Sequence, residues 1–488
     1  MMTMIRAPLL ALLLSCMAWA AEPRIDLTDW PLKIGQEGQL FVDDFLVARK
    51  TGVEFRLRQP EKLSDNPIVV PTAPSETLVL AYGSVLRNGE SRGFRMWYTN
   101  NLGIAYAQSP DGLRWSKPPV GMMIDGKPTN LLMRGHRGRS DTLTVSLNPD
   151  GSDAAKKYLA YVFEYRFPDQ EGVRERLREG LYLRTSPDGV RWMERPEPVM
   201  HSVWRSKADR PDGPYDDLGD VNYVCWDPKL RKFMGHIKIT LDGVRTRGLV
   251  ESDDGIHFSN PRLILRADDL DRPGDQLYSL VAFPYESVWL GFLGVYHKAS
   301  DERMDIQLAV SHDGRNWRRS LRQPFLSNGP EGSWDWGVLH MAANPPLRVG
   351  EKLYIYYGGC GSAHNVKASE VRKMGIGLAT LRPEGFVSVD AGAQSGTVVT
   401  RPLCFQGRRL SVNATVRPGG SIRVAVLGRQ YTPIERFGLN DSVEVVGDGL
   451  RIPVGWRATD ELPPTDADRH VRLQFELKDA SVYSFRIE

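Results

Sequence analysis

Four aspartates stand at or beside the starts of short apolar strands in a turn-rich chain. Asp141 opens Asp141-Thr142-Leu143-Thr144-Val145, Asp220 opens Asp220-Val221-Asn222-Tyr223-Val224, and Asp275 opens Asp275-Gln276-Leu277-Tyr278-Ser279. Asp335 directly precedes Trp336-Gly337-Val338-Leu339-His340. Carboxylates drawn from separate strands to one place can do general acid–base work, because like charges raise one another's pKa and keep one acid protonated near neutrality. The competing reading is that each aspartate caps a loop-to-strand junction by accepting backbone N–H bonds.

The elements that would position these residues announce themselves by repetition. Ser109-Pro110-Asp111-Gly112-Leu113-Arg114-Trp115 returns as Ser186-Pro187-Asp188-Gly189-Val190-Arg191-Trp192. Further copies are Ser252-Asp253-Asp254-Gly255-Ile256-His257-Phe258 and Ser311-His312-Asp313-Gly314-Arg315-Asn316-Trp317, with a worn fifth at Arg382-Pro383-Glu384-Gly385-Phe386. Each follows a short apolar strand, at a spacing of roughly 60 to 80 residues, which suits one four-stranded propeller blade plus a loop. Gly supplies the positive φ of the turn, the Asp carboxylate accepts backbone N–H groups across it, and the aromatic is large enough to pack between blades. The motif therefore fastens blades and does not catalyse.

The chain has 488 residues and a formal net charge of +3, so two domains are expected and nothing marks a nucleic-acid footprint or a membrane-surface patch. Arg6, the apolar run Leu9–Leu14 and Ala18-Trp19-Ala20 read as a secretory signal over residues 1–20, too short to span a membrane. Cys16 offers a lipoprotein alternative. Cys225, Cys360 and Cys404 are too scattered to form a disulfide framework, and no His/Cys cluster has metal-ligand spacing, so neither metal nor cofactor is expected. Oligomeric state is not legible.

Gly38–Val47 reads as a strand carrying Asp43 and Asp44, and the Pro-rich stretch from Gln59 to Pro74 as an extended connector. Beyond about Ala391 the Asp-Gly-x-x-Trp motif stops. Strongly alternating segments such as Ser421–Val426 and His470–Leu477 predict a small antiparallel β-sandwich. The expected fold is all-β: a five-bladed propeller over residues 21–390, then the sandwich over 391–488.

Leu40-Phe41-Val42-Asp43-Asp44, Ala81-Tyr82-Gly83-Ser84-Val85, Gly219-Asp220, Tyr285–Gly291, Gly332-Ser333-Trp334-Asp335 and Ala379–Phe386 together give the chain a resemblance to secreted bacterial proteins of a glycoside hydrolase family 32-like group. The blade architecture is also shared with family 43. The resemblance covers nearly the whole mature chain and implies a glycoside hydrolase acting on a carbohydrate substrate. The Asn-Asp-Pro-Asn-Gly, Arg-Asp-Pro and Glu-Cys motifs of true invertases are absent, so fructan cleavage is not implied.

Glycoside cleavage needs one protonated carboxyl and one ionised partner, and a propeller funnel would bring Asp141, Asp220 and Asp275 together. Family 32 uses a glutamate as acid and no inner strand begins with one, which makes Glu331 and Asp335 the candidate substitutes. Candidate substrate contacts are Asp43, Asp44, Tyr82, Asn222, His340 and His364, with Trp334 and Trp336 as a sugar-stacking platform. Arg137 and Arg139, leading into Asp141, would suit an anionic glycan, with a solvated basic loop as the alternative. The rival function is a non-catalytic glycan-binding propeller, and a sialidase-like enzyme is a third reading.

Overall fold

A computed structural model describes residues 30–72, 76–88, 93–134, 140–164, 180–202, 218–366, 374–466 and 468–488. The signal sequence expected over residues 1–20, with Cys16, lies outside the described residues, as do Arg137 and Arg139. At Asp141 the description extends to the backbone alone.

The described chain is almost wholly β, and five antiparallel units follow one another along it. The first contains Val85–Arg87, Phe94–Asn100, Gly103–Ser109 and Leu131–Arg134; the second Ser140–Leu147, Tyr158–Glu164 and Gly180–Ser186. The third is Tyr223–Asp227, Lys232–Leu241, Val244–Ser252 and Arg262–Leu265. The fourth is Gln276–Tyr285, Val288–Tyr296, Met304–Ser311 and Trp317–Arg318, and the fifth Val338–Met341, Lys352–Cys360 and Met374–Leu381. Glu61–Lys62, inside the stretch expected to be a connector, pairs with Met374–Leu381 and adds an outer strand to the fifth unit. Second strands such as Tyr158–Glu164 and Val288–Tyr296 are buried along their whole length, because a neighbouring unit covers each face.

Hydrogen bonds between units close the ring. Val145 N donates to Ser84 Oγ (2.9 Å), Thr142 Oγ1 to the Asp220 carbonyl (2.6 Å) and Arg247 Nη1 to the Tyr278 carbonyl (2.9 Å). Met304 N donates to the Gly337 carbonyl (3.0 Å), and Ala343 N to the Gly83 carbonyl (2.6 Å), which joins the fifth unit to the first.

The repeated turn fastens units as its chemistry predicts. Asp188 Oδ1 accepts from the N–H groups of Val190 and Arg191, both at 2.9 Å. Burial opposes ionisation of Asp188, but those donors prevail and hold its pKa down at about 2. Gly189 has φ 78°, and its carbonyl accepts from Trp97 Nε1 of the preceding unit at 2.7 Å. Tyr356 Oη serves the Gly112 carbonyl and Tyr161 Oη the Gly255 carbonyl in the same way, each at 2.9 Å.

The C-terminal domain is antiparallel β, as expected, with its strands linked in one hydrogen-bonded network around a core of its own. Leu410–Leu427 and Arg472–Ile487 pair along most of their length, and Phe41, Val412, Val424, Phe475 and Phe485 fill the interior. The expected boundary at residue 390 does not hold for the N-terminal residues: Gln39–Leu40, Val47–Thr51 and Glu54–Leu57 all join this sheet. The strand expected over Gly38–Val47 breaks at a turn where Asp43 Oδ1 accepts from Phe45 N at 3.0 Å.

Candidate functional site

In the third unit the inner strand runs away from Asp220, the second returns toward it, and the Leu241–Val244 hairpin stands at the same end. Lys238 on the second strand reaches back to pair with the Asp220 carboxylate. Its ammonium lies 5.1 Å from the centre of the Tyr278 ring, which belongs to the fourth unit. Arg245, just below the hairpin, lies 5.4 Å and 5.7 Å from the Tyr278 and Tyr296 rings. The fifth unit supplies His364, whose Nε2 is 3.1 Å from the Tyr278 hydroxyl. Burial lowers the His364 pKa, so its imidazole is neutral at pH 7.

Deeper in, the Tyr82 ring of the first unit lies 4.6 Å from His340 of the fifth. His340 is buried, and among the described residues neither ring nitrogen has a hydrogen-bond partner. Burial, helped by the neighbouring imidazole of His364, pushes its pKa down to about 3. Asp220, Lys238, Tyr278, His364, His340 and Tyr82 therefore form one constellation drawn from four units. It offers a carboxylate, an amine, phenols and imidazoles: groups that can bind hydroxyls and move protons.

Other expected site residues lie elsewhere. Asp275 is buried and its Oδ1 is 2.9 Å from Nδ1 of His297, whose Nε2 is 3.1 Å from Asp305 Oδ2. This carboxylate–imidazole–carboxylate bridge is internal to the fourth unit. Asp335 is buried against Lys62 Nζ (2.6 Å), and Trp334 packs on Tyr357 with a ring separation of 5.4 Å. Gly359 and Gly377 make room for that indole, where an added Cβ would come within 2.6 Å and 2.9 Å of its ring. Both residues thus serve packing within the fifth unit. Of the three carboxylates expected to converge, Asp220 pairs with Lys238 and Asp275 with His297 inside their own units, and the Asp141 side chain lies outside the described residues; the candidate substitute Asp335 pairs with Lys62.

Asn222 is wholly buried and spends its amide on the backbone, donating to the Gly219 carbonyl (2.6 Å) and accepting from Lys238 N (2.9 Å). It scaffolds the strand start. Asp43 is buried at the junction with the C-terminal sheet, 3.1 Å from His312 Nε2, and Asp44 is exposed in the turn beside it. Glu331 is exposed on the 330–335 turn. Trp336 is part-buried, with the Arg303 guanidinium 5.4 Å over its ring. Asp141 opens the strand next to Asp220, since Thr142 bonds the Asp220 carbonyl.

Lys238, Arg245 and Tyr296 were not anticipated. Their signal is visible in retrospect: Lys238 interrupts the apolar run Phe233–Ile239, and a charge in a doubly covered strand needs a purpose. Among the described residues no group of three or more His, Cys, Asp or Glu side chains is placed to hold a metal. A groove of about 950 Å³ opens at the opposite end of the ring, between the second and third units, lined by residues including Asn148, Trp226 and Ile256.

No family model matches the chain. A curated relative, the A type blood N-acetyl-alpha-D-galactosamine deacetylase of Flavonifractor plautii, is 26% identical over 288 residues, 50% of this chain and 34% of the relative. The chain thus spans about a third of the length of the curated relative it matches. Among solved structures, an N-acetylgalactosamine deacetylase from F. plautii in complex with blood group B trisaccharide is 18% identical, covering 68% of this chain and 96% of that one with a TM-score of 0.44. A glycosyl hydrolase from Bacteroides ovatus is 13% identical, with coverage of 72% and 99% and a TM-score of 0.45. A thermostable family-43 glycoside hydrolase is 12% identical, with coverage of 64% and 92% and a TM-score of 0.42.

Proposed function

We propose that the protein is an exported hydrolase acting on glycans, with its reaction centred on Asp220. The observation that carries this reading is the constellation of Asp220, Lys238, Tyr278 and His364, contributed by three successive units to one end of the ring. Lys238 pairs with the Asp220 carboxylate and holds it in place, suiting it to act as nucleophile, base or cation stabiliser. Asp141, at the head of the adjoining strand, is the proposed source of the second carboxyl that glycoside cleavage requires. His340 and Tyr82 lie deeper and would meet the end of the sugar chain.

Assignment to a family 32-like glycosidase group belongs to the same proposal and is supported by the motif stretches around Tyr82, Asp220 and Tyr285–Gly291. Export is supported by the apolar run and the Ala18-Trp19-Ala20 site. A second reading, hydrolysis of an N-acetyl group on an amino sugar, is favoured by the likeness to the F. plautii deacetylase.

A panel of plant, algal and host glycans incubated with the purified protein separates the readings. Release of reducing sugar, lost in Asp220→Asn, supports the glycosidase, and release of acetate lost in the same variant supports the deacetylase. Saturable binding with no product would overturn both in favour of a glycan-binding propeller.

A further inference from the structure

Arg245 is a part-buried guanidinium with no carboxylate partner among the described residues. Its Nη1 donates to the neutral amide of Gln276 at 2.6 Å, and its remaining near neighbours are the Tyr278 and Tyr296 rings. The surrounding charges do not compensate it. Asp220 is already engaged by Lys238. Arg247, wholly buried below, donates only to the carbonyls of Tyr278, Val221 and His236, at 2.9, 2.8 and 3.2 Å. Burial pulls the Arg247 pKa down to about 9, which leaves it charged at neutral pH. Glu302, the other acid nearby, is 3.0 Å from Asn365 Nδ2.

Among the described residues three cations, Lys238, Arg245 and Arg247, therefore stand on the face that the third unit turns to the fourth, and the Asp220 carboxylate there is paired with Lys238. A half-desolvated cation without a counterion is costly unless something supplies the missing charge. A guanidinium steadied by an amide on one edge and by aromatic rings still has donors left for a planar or tetrahedral anion. We propose that Arg245 reads an anionic substituent on the glycan, the carboxylate of a uronic acid or a sulfate ester, at the guanidinium donors that Gln276 leaves free. This deepens the glycan reading above and rests on it.

The test pairs each anionic oligosaccharide with its neutral twin: an oligogalacturonate with its methyl ester, and a sulfated galactan oligosaccharide with its desulfated form. Affinity of the purified full chain is measured by calorimetry at low salt. One anionic member should bind about tenfold or more tighter than its twin, as one charge-assisted bidentate contact supplies, and the responding pair tells carboxylate from sulfate. Arg245→Gln should shrink the preference to about twofold or less, while Arg245→Lys keeps part of it. Equal binding of both twins by the wild-type protein, or a preference that survives in Arg245→Gln, overturns the proposal. If neutral glycans are turned over in an Asp220-dependent way without charge preference, the anion proposal falls and the glycan reading stands. If no glycan is bound or turned over, both fall.

Discussion

Thr142 Oγ1 donates to the Asp220 carbonyl at 2.6 Å and accepts from Asn222 N at 3.2 Å, so one hydroxyl locks the inner-strand starts of the second and third units together. That lock sets the backbone of Asp141 beside Asp220. Thr142→Val keeps the side-chain shape but strands the part-buried Asp220 carbonyl and the buried Asn222 N–H, and should cost about 1–3 kcal/mol in denaturant unfolding. Turnover per folded molecule should fall with it, and Thr142→Ser should restore most of both. Unchanged stability in Thr142→Val would show that the tie is incidental.

The Asp220–Lys238 pair should behave as a unit. Asp220→Asn leaves the Lys238 ammonium largely buried without a counterion, and should destabilise the protein by about 3–5 kcal/mol. Adding Lys238→Met should recover a large part of that loss, because the uncompensated charge goes with it. A double-mutant cycle by urea titration measures the coupling. Additive losses would mean the two side chains do not depend on each other.

The pH dependence of stability should carry the mark of His297. Burial opposes its charging, but hydrogen bonds to Asp305 and Asp275 outweigh burial and raise its pKa above the ordinary 6.5. A pKa raised on folding contributes stability that is fully present below about pH 6.5 and is lost as pH climbs through the folded value. Melting temperature should therefore drop on the alkaline side of neutrality, and Asp275→Asn should flatten that part of the curve. A wild-type profile that is flat from pH 6 to 9 would contradict the bridge.

Much of this fold is legible in the sequence because the repeat carries its own chemistry: Asp-Gly between an apolar strand and an aromatic has few ways to sit. The candidate site was only partly legible. Asp220, Tyr82, His340 and His364 stand in or beside the inner-strand segments, where a repeat alignment reaches them. Lys238 and Arg245 come from the second and third strands of a unit, and their meeting with Tyr278 depends on how adjacent units pack. Asp275 and Asp335 fit the same pattern as Asp220, yet His297 and Lys62 claim them. A strand-start aspartate does not reveal in sequence which cation will answer it. Asp43 misleads for a related reason, since its partner His312 lies far along the chain.

The repeated turn should matter to stability and not to turnover. Gly189→Ala must adopt φ 78° and place a Cβ 2.7 Å from Trp97 Cζ2, so it should cost about 1–3 kcal/mol. Activity per folded molecule should stay near wild type, because Asp188 and Gly189 lie at the end of the ring away from Asp220. Thermal unfolding and turnover measured on the same preparation check both halves, and a selective loss of activity would contradict the fastening role.

The pairing of Gln39 with Phe485 and of Leu40 with Ser484 has a consequence for biosynthesis. During vectorial synthesis Gln39 and Leu40 leave the ribosome before the ring does, and their mates follow only after it. Those edges must wait unpaired while the whole ring is assembled, the situation in which non-local pairing is slow and a chaperone has most to protect.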